Sequence, residues 1–287
     1  MERLKGRPAT GKRHGLRASG AKGKKTPVDS LLFLGTGPGT PVQGRFFSSV
    51  LLRAAKATVL VDAGEPCSQR LHEAAVPVAE LDAVLITHGH SDHTGGLPML
   101  LQSAWLERRT RPLVVHLPSE LIVPLQAWLD AVFLPASLLG FPLEFRAWEA
   151  GRTEEVAPGL RVTPFATTHL DGLKRMIDPA ADDRFKVFGL TVETGEHRVV
   201  FSSDLGAPSD LAAPMAEHCD VLVCELSHFS ADELFAFLRG REIGQLLLTH
   251  LAGTLAGREE EIAAAARVAL PQVGRIEVVR DGDEVKF

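Results

Sequence analysis

Four side chains able to bind a metal ion crowd into six residues of the segment 81–101 (LDAVLITHGHSDHTGGLPMLL): His88, His90, Asp92 and His93. An apolar run ends at Ile86 just before them, and Gly95-Gly96-Leu97-Pro98 opens a helix just after. His88 and His90 stand two apart on a segment that is still extended, so their rings point to one side and can share an ion. Asp92 and His93 fall where the chain turns into the helix, and they face a second position beside the first. Two cations at such a separation, roughly 3.5–4 Å, can hold one hydroxide between them. Imidazole with carboxylate suits Zn²⁺ best, with Fe or Mn as the other candidates. Packing alone gives no reason to crowd three imidazoles and a carboxylate into one turn.

Two ions need more ligands, and the ends of apolar runs offer them. His169 closes Val162–Thr168, Asp204 closes Val199–Ser203, and His250 closes Leu246–Thr249. Each is the first strongly coordinating side chain after such a run. Singly, each reads as a capping or surface residue; as a set they complete a two-ion site, provided the strand ends meet at one edge.

That condition constrains the fold. Strand-like runs fall at Leu31–Leu34, Ser49–Leu52, Thr58–Val61, Ala83–Ile86, Leu113–His116, Leu160–Pro164, Lys186–Val192, Arg198–Phe201, Val221–Cys224, Leu246–Leu248 and Arg275–Val279. Helical stretches fit Pro98–Arg108, Ser119–Phe133, Asp210–His218, Ala231–Leu238 and Arg258–Ala269. Strands dominate the first half and alternate with helices in the second, which predicts an α/β fold, a four-layer αββα sandwich. The 287 residues, 45% hydrophobic, can bury a full core and exclude a disordered or fibrous chain. We expect a catalytic domain over 29–287 preceded by a basic tail.

The net charge of −5 hides an asymmetry: residues 1–28 carry +8 and the rest −13. The tail reads as a disordered, solvated extension, or as an arm lending salt-sensitive affinity for RNA or DNA. It lacks an apolar run long enough for a signal peptide. Three cysteines make no disulfide scaffold and point to a reducing, cytoplasmic setting. Residues 121–142 are the most apolar stretch, but Pro124, Gln126, Asp130 and Pro135 interrupt it, so no membrane span is expected. The part of it from Trp128 to Phe141 suits a homodimer contact, a wall of the cleft, or core packing.

The run Thr87-His88-Gly89-His90-Ser91-Asp92-His93 resembles the signature of the metallo-β-lactamase superfamily. Within that superfamily the chain is most similar to the ribonuclease Z branch. The likeness takes in Phe33–Pro41 (FLGTGPGTP), Arg45 with Ser48-Ser49, Val61–Glu65 (VDAGE), and Gly96-Leu97-Pro98. It is good over about residues 31–116 and patchier beyond. The resemblance implies His88, His90 and His169 on one metal and Asp92, His93 and His250 on the other, with Asp204 between them. Two departures stand out. Only 34 residues separate His169 from Asp204, too few for that branch's tRNA-gripping arm, and its later His-Ser-Thr element has no match. The nearest imidazole is His228, three residues after Glu225.

Two Zn²⁺ against Asp92, Asp204 and a hydroxide leave the centre positive, which favours an anionic ester. The expected activity is hydrolysis of a phosphodiester, an RNA 3′ end or a small or cyclic one, by a metal-bound hydroxide, with Asp92 and His228 as the catalytic candidates. His228 is either the general acid or a helix cap. Asp62 either orients a ligand imidazole or simply forms a turn. Gly35–Gly39 either lets backbone approach a phosphate or makes a tight turn. Thr40 and Ser48 are candidate donors behind the ligands. Lys174 and Arg175, in the polar loop 171–183, either meet substrate charge or sit in solvent. His14, His72, His116, His197 and His218 read as surface or strand-end residues, and Cys67, Cys219 and Cys224 as small core side chains or inert thiols. Other readings of the same ligands are hydrolysis of a lactone, thioester or sulfate ester, an iron-containing redox protein, and a metal-binding nucleic-acid scaffold.

Overall fold

The computed structural model of the chain describes residues 29–287 apart from Ala55 and Asp182; the basic tail, His14 included, lies outside the described residues. The first sheet is built from β1 (Ser30–Gly35), β2 (Ser49–Ala54), β3 (Ala57–Val61), β4 (Ala83–Leu85), β5 (Leu113–Leu117) and β6 (Leu143–Ala147). Between its strands lie α1 (Cys67–Glu73), α2 (Ser91–Thr94), α3 (Leu97–Leu106) and α4 (Ile122–Ala131). The second sheet takes β7 (Glu154–Ala157), β8 (Leu160–Ala166), β9 (Phe188–Glu193), β10 (Arg198–Phe201), β11 (Cys219–Leu226), β12 (Ile243–Leu251) and β13 (Arg275–Val278). Its helices are α5 (Asp171–Ile177), α6 (Ala231–Leu238) and α7 (Glu259–Ala269), and β14 (Glu284–Lys286) returns to pair with β1.

Both sheets have seven strands, ordered β14-β1-β2-β3-β4-β5-β6 and β13-β12-β11-β10-β9-β8-β7. In each, pairing is antiparallel on one side and parallel on the other, with the change at β3 in the first sheet and β10 in the second. The central strands, such as β3, β4 and β10, are apolar on both faces because both faces are covered. Leu31, Val59, Val199 and Val221 pack between the sheets. Their alternates turn outward: Leu60 meets the layer of α1, α3 and α4, while Val200 and Leu222 meet that of α6 and α7. This is the αββα sandwich expected from the sequence. Among the described residues, no helix is long and apolar enough to cross a membrane.

Several local expectations are corrected. The helix expected over 210–218 is two 3₁₀ turns, Pro208–Leu211 and Pro214–Ala216, because Pro214 removes the amide an α-helix would need there. The polar loop 171–183 begins instead as the helix α5. The missed strands β6, β7 and β14 are short and sit at sheet edges, where alternation is weakest. In the stretch from Trp128 to Phe141, Leu129, Leu134, Leu139 and Phe141 join the core, while Trp128, Val132, Phe133 and Leu138 stay exposed. His116 is no surface residue. It is wholly buried in β5, stacked on Trp148 with centroids 4.7 Å apart, and burial pushes its pKa down to about 4. The three cysteines are buried and unpaired, with burial raising the thiols of Cys67 and Cys219 to about 12.

Candidate metal centre

The C-terminal ends of β3, β4, β8, β10 and β12 meet at one edge of the sandwich, and each delivers a polar side chain there. Chain beyond β4 supplies His88, His90 and, from α2, Asp92 and His93. The end of β8 supplies His169, that of β10 Asp204, and β12 itself His250. The structure brings all seven together in two groups, His88, His90, His169 and Asp204 in one, Asp92, His93 and His250 in the other.

Asp204 stands between the groups, each oxygen facing one of them. Its Oδ2 lies 3.7 Å from His88 Nε2 and 3.6 Å from His169 Nε2. Its Oδ1 lies 3.4 Å from His93 Nε2 and 3.5 Å from His250 Nε2. On the far side, Asp92 Oδ2 lies 3.5 Å from His93 Nε2 and 3.8 Å from His250 Nε2. His90 turns Nδ1 inward, 3.3 Å from His169 Nε2. Most of these spacings are too long for hydrogen bonds, and they suit donor atoms surrounding a cation. Fit to divalent ions is tested by satisfaction: His88 Nε2, His93 Nε2 and Asp204 Oδ1 are buried without a hydrogen-bond partner. Buried polar atoms left so are costly unless something occupies the space they face.

The outward-facing ring nitrogens of His93, His88 and His250 are held by partners. His93 Nδ1 donates to Asp62 Oδ2 at 2.7 Å, which in the neutral ring leaves the Nε2 lone pair pointing into the cluster. Asp62 also accepts from Thr87 N (2.8 Å) and Thr87 Oγ1 (3.0 Å). Thr87 Oγ1 in turn lies 3.2 Å from His88 Nδ1. His250 Nδ1 is 2.8 Å from Ser48 Oγ. Asp62 and Ser48 thus stand directly behind two imidazoles. Thr87 was missed by the sequence reading, although it adjoins His88 and begins the run that carried the resemblance.

The electrostatics of the chain itself divide the imidazoles. Burial holds His88 well below the usual histidine range and lowers His90 and His169, the last to about 4. Burial also opposes charge on His93, but Asp204 and Asp62 outweigh it and hold its pKa well above normal. Asp204, despite burial, is held well below the carboxylate range by His250 and His93.

His228 lies at the rim, its side chain 32% exposed, with Nε2 4.0 Å from Asp204 Oδ2 and its ring centroid 4.4 Å from that of His169. Nδ1 bonds Glu225 Oε1 at 2.8 Å. Burial lowers its pKa, but the Glu225 bond and charge raise it above normal. Glu225 is fixed in turn by the amides of Leu205 and Ser227, at 2.8 and 2.7 Å. His228 is not a cap: α6 is capped by Ser230 in a capping box with Glu233.

The other candidates are less central. Thr40 is exposed, one residue past Gly39. A Cβ on Gly39 would come within 3.3 Å of Asp92 Oδ2, so the loop Gly35–Gly39 packs on the centre itself. At Gly35 a Cβ would clash with the Phe47 carbonyl, so that glycine serves close backbone packing. Lys174 and Arg175 lie on α5, which follows His169 at once; the first is half-buried and the second exposed.

Residues 57–269 match the family model described as Beta-lactamase superfamily domain. The chain is 31% identical over 269 residues to a protein named Ribonuclease Z from Pseudomonas putida, covering 77% of this chain and 84% of that one. Among solved structures it is similar to the metallo-beta-lactamase fold protein YhfI from Bacillus subtilis, with TM-score 0.73, 19% identity, and coverage of 91% of this chain and 100% of that one. It is also similar to the short form of human tRNase Z, with TM-score 0.67, 19% identity, and coverage of 90% and 98%.

Proposed function

Because the chain belongs to the beta-lactamase superfamily and is a metal-dependent hydrolase, we propose that it is a two-zinc phosphodiesterase acting on an RNA 3′ end or a small phosphodiester. The observation that carries this reading is the division of Asp204, one oxygen toward each group of imidazoles. His88, His90 and His169 would hold one ion, Asp92, His93 and His250 the other, with Asp204 shared. Bound there, the ions supply hydroxide at neutral pH and offset charge gathering on the phosphoryl oxygens.

The remaining work falls to the chain. Asp62, Ser48 and Thr87 keep His93, His250 and His88 turned with Nε2 inward. Asp92, the more exposed of the two carboxylates, accepts a hydrogen bond from the incoming nucleophile. As the new P–O bond forms, the bond to the leaving oxygen breaks, and His228 Nε2–H donates its proton to that oxygen. Glu225 favours the protonated form of His228 and keeps the ring aimed inward. Lys174 and Arg175 on α5 meet the anionic substrate beside His169. The Val123, Trp128 and Phe133 side chains left exposed on and just after α4 support a homodimer in solution, which sedimentation would test.

The test pairs metal analysis with chromogenic substrates. Two zinc ions per chain and turnover of bis-p-nitrophenyl phosphate above that of ester, lactone and sulfate analogues are expected. Two zinc ions with no phosphodiesterase activity, or iron with O₂-dependent turnover, would overturn the proposal.

A further inference from the structure

The loop over residues 36–48, between β1 and β2, holds one half of the centre from several sides. The Thr36 carbonyl accepts the His250 amide at 2.9 Å, where His250 has the left-handed φ of 47°. Ser48 Oγ meets the same residue's ring at 2.8 Å, and Gly39 packs against the Asp92 carboxylate. His88, His90 and His169 have no such support from this loop; Thr87 stands behind His88.

The loop does not hold this shape by itself. Asp281, in the turn before β14, accepts from Thr36 N at 2.9 Å and Thr36 Oγ1 at 2.6 Å through Oδ1, and from Phe46 N at 2.5 Å through Oδ2. One carboxylate thereby pins both arms of the loop. Arg45, its side chain 5% exposed, donates to Thr36 Oγ1 (2.7 Å), to the Val279 carbonyl (2.8 Å) and to Glu259 at the start of α7 (3.1 Å). Charge-assisted bonds to buried backbone are strong, and losing one partner strands the other.

We infer that Asp281 and Arg45, which hydrogen-bond none of the seven clustered side chains, are positioning residues for the ion held by Asp92, His93 and His250. They act through Thr36, whose carbonyl holds His250 in a left-handed backbone conformation that non-glycine residues rarely occupy. The inference rests on the two-ion reading of the site. It adds that the two ions depend unequally on the chain's C-terminal turn.

The test is a zinc titration of chelator-stripped full-length protein, followed by calorimetry, with Co²⁺ absorption as a second readout of coordination. In Asp281→Ala, one ion should bind as in the wild type and the other about 10–100-fold more weakly. Asp281→Asn keeps an acceptor for Thr36 and loses the Phe46 bond, so it should fall between. Arg45→Lys keeps the charge beside Glu259 but cannot span Thr36 and Val279 together, and it gives the same selective weakening if Asp281→Ala does not fold. The melting temperature of each metal-free variant establishes that it is folded. Wild-type affinity for both ions in the variants, or equal weakening of both, overturns the inference while leaving the two-ion reading intact. A wild-type chain that takes up fewer than two ions overturns both.

Discussion

Replacing Asp62 with Asn changes one atom of a side chain that touches no ion, and the effect on ion binding can be worked out from its neighbours. Asp62 is 5% exposed, and its carboxylate accepts from Thr87 N, Thr87 Oγ1 and His93 Nδ1, at 2.8, 3.0 and 2.7 Å. An amide of the same shape has one accepting oxygen and one NH₂. Turned with NH₂ toward His93, it makes Nδ1 an acceptor and moves the ring proton to Nε2, where it blocks the lone pair meant for the ion. Turned the other way, NH₂ meets the Thr87 N–H, and a buried backbone donor loses its partner. Each orientation costs about 1–3 kcal/mol, or roughly 5- to 150-fold in affinity for the ion that His93 holds. Zinc titration of the stripped protein should show one site weakened by that factor, with both still filling at high zinc. Phosphodiesterase activity should recover as zinc is raised. Unchanged affinity at both sites would refute the claim that Asp62 sets the His93 tautomer.

Other substitutions separate the remaining roles. His228→Ala should lower turnover by about 10²–10⁴-fold while two zinc ions stay bound, and unchanged turnover would remove His228 from proton transfer. His116 is buried neutral with its pKa near 4, so the unfolded chain binds more protons between about pH 6.5 and 4, and stability falls as pH drops through that window. The difference in unfolding free energy between wild type and His116→Leu should therefore shift against the wild type by about 2 kcal/mol from pH 7 to 5. Glu154 Oε2, 3.6 Å from Nδ1, would partner the protonated ring and makes that figure an upper one; no shift in denaturant titrations would contradict the assignment. Ser203 has φ of 52° and a buried hydroxyl without a partner, so Ser203→Gly should stabilise the protein by about 1 kcal/mol, and a lower melting temperature would count against it.

The sequence carried the centre well because its ligands follow apolar runs. A run such as Leu246–Leu248 names a strand buried on both faces, and the first polar residues beyond it must lie at the sheet's edge. Leu143–Ala147 and Glu154–Ala157 lie at sheet edges and mix charged with apolar side chains, so nothing local marked them as strands. His116 lies at a strand end as read, but its burial was not legible, because its imidazole stacks on Trp148, a neighbour more than thirty positions away. Asp281 was silent for the same reason, and Thr36 and Arg45, though part of the resemblance, showed no role of their own: their bonds span from 9 to 245 positions, and a lone Asp in a turn looks alike whether it faces water or a loop.

The backbone at the site explains why strand ends alone could not assign its side chains. Asp62, Ser203 and His250 have φ of 59°, 52° and 47°, a region that non-glycine residues rarely occupy. Each sits where β3, β10 or β12 runs out. On a continuing strand, successive side chains alternate faces, so residues such as Ser203 and Asp204 would point apart. A left-handed step breaks the alternation and aims the polar side chain into the gap between the sheets. The strain costs about 1–3 kcal/mol per residue and persists only where surrounding bonds enforce it. Those bonds are present: the Leu85 carbonyl for the Asp62 amide, the Thr36 carbonyl for the His250 amide, and Thr167 Oγ1 on the Asp204 carbonyl. Strain and cluster thus coincide: of the three left-handed residues His250 belongs to the cluster, Ser203 precedes Asp204, and Asp62 bonds the ring of His93.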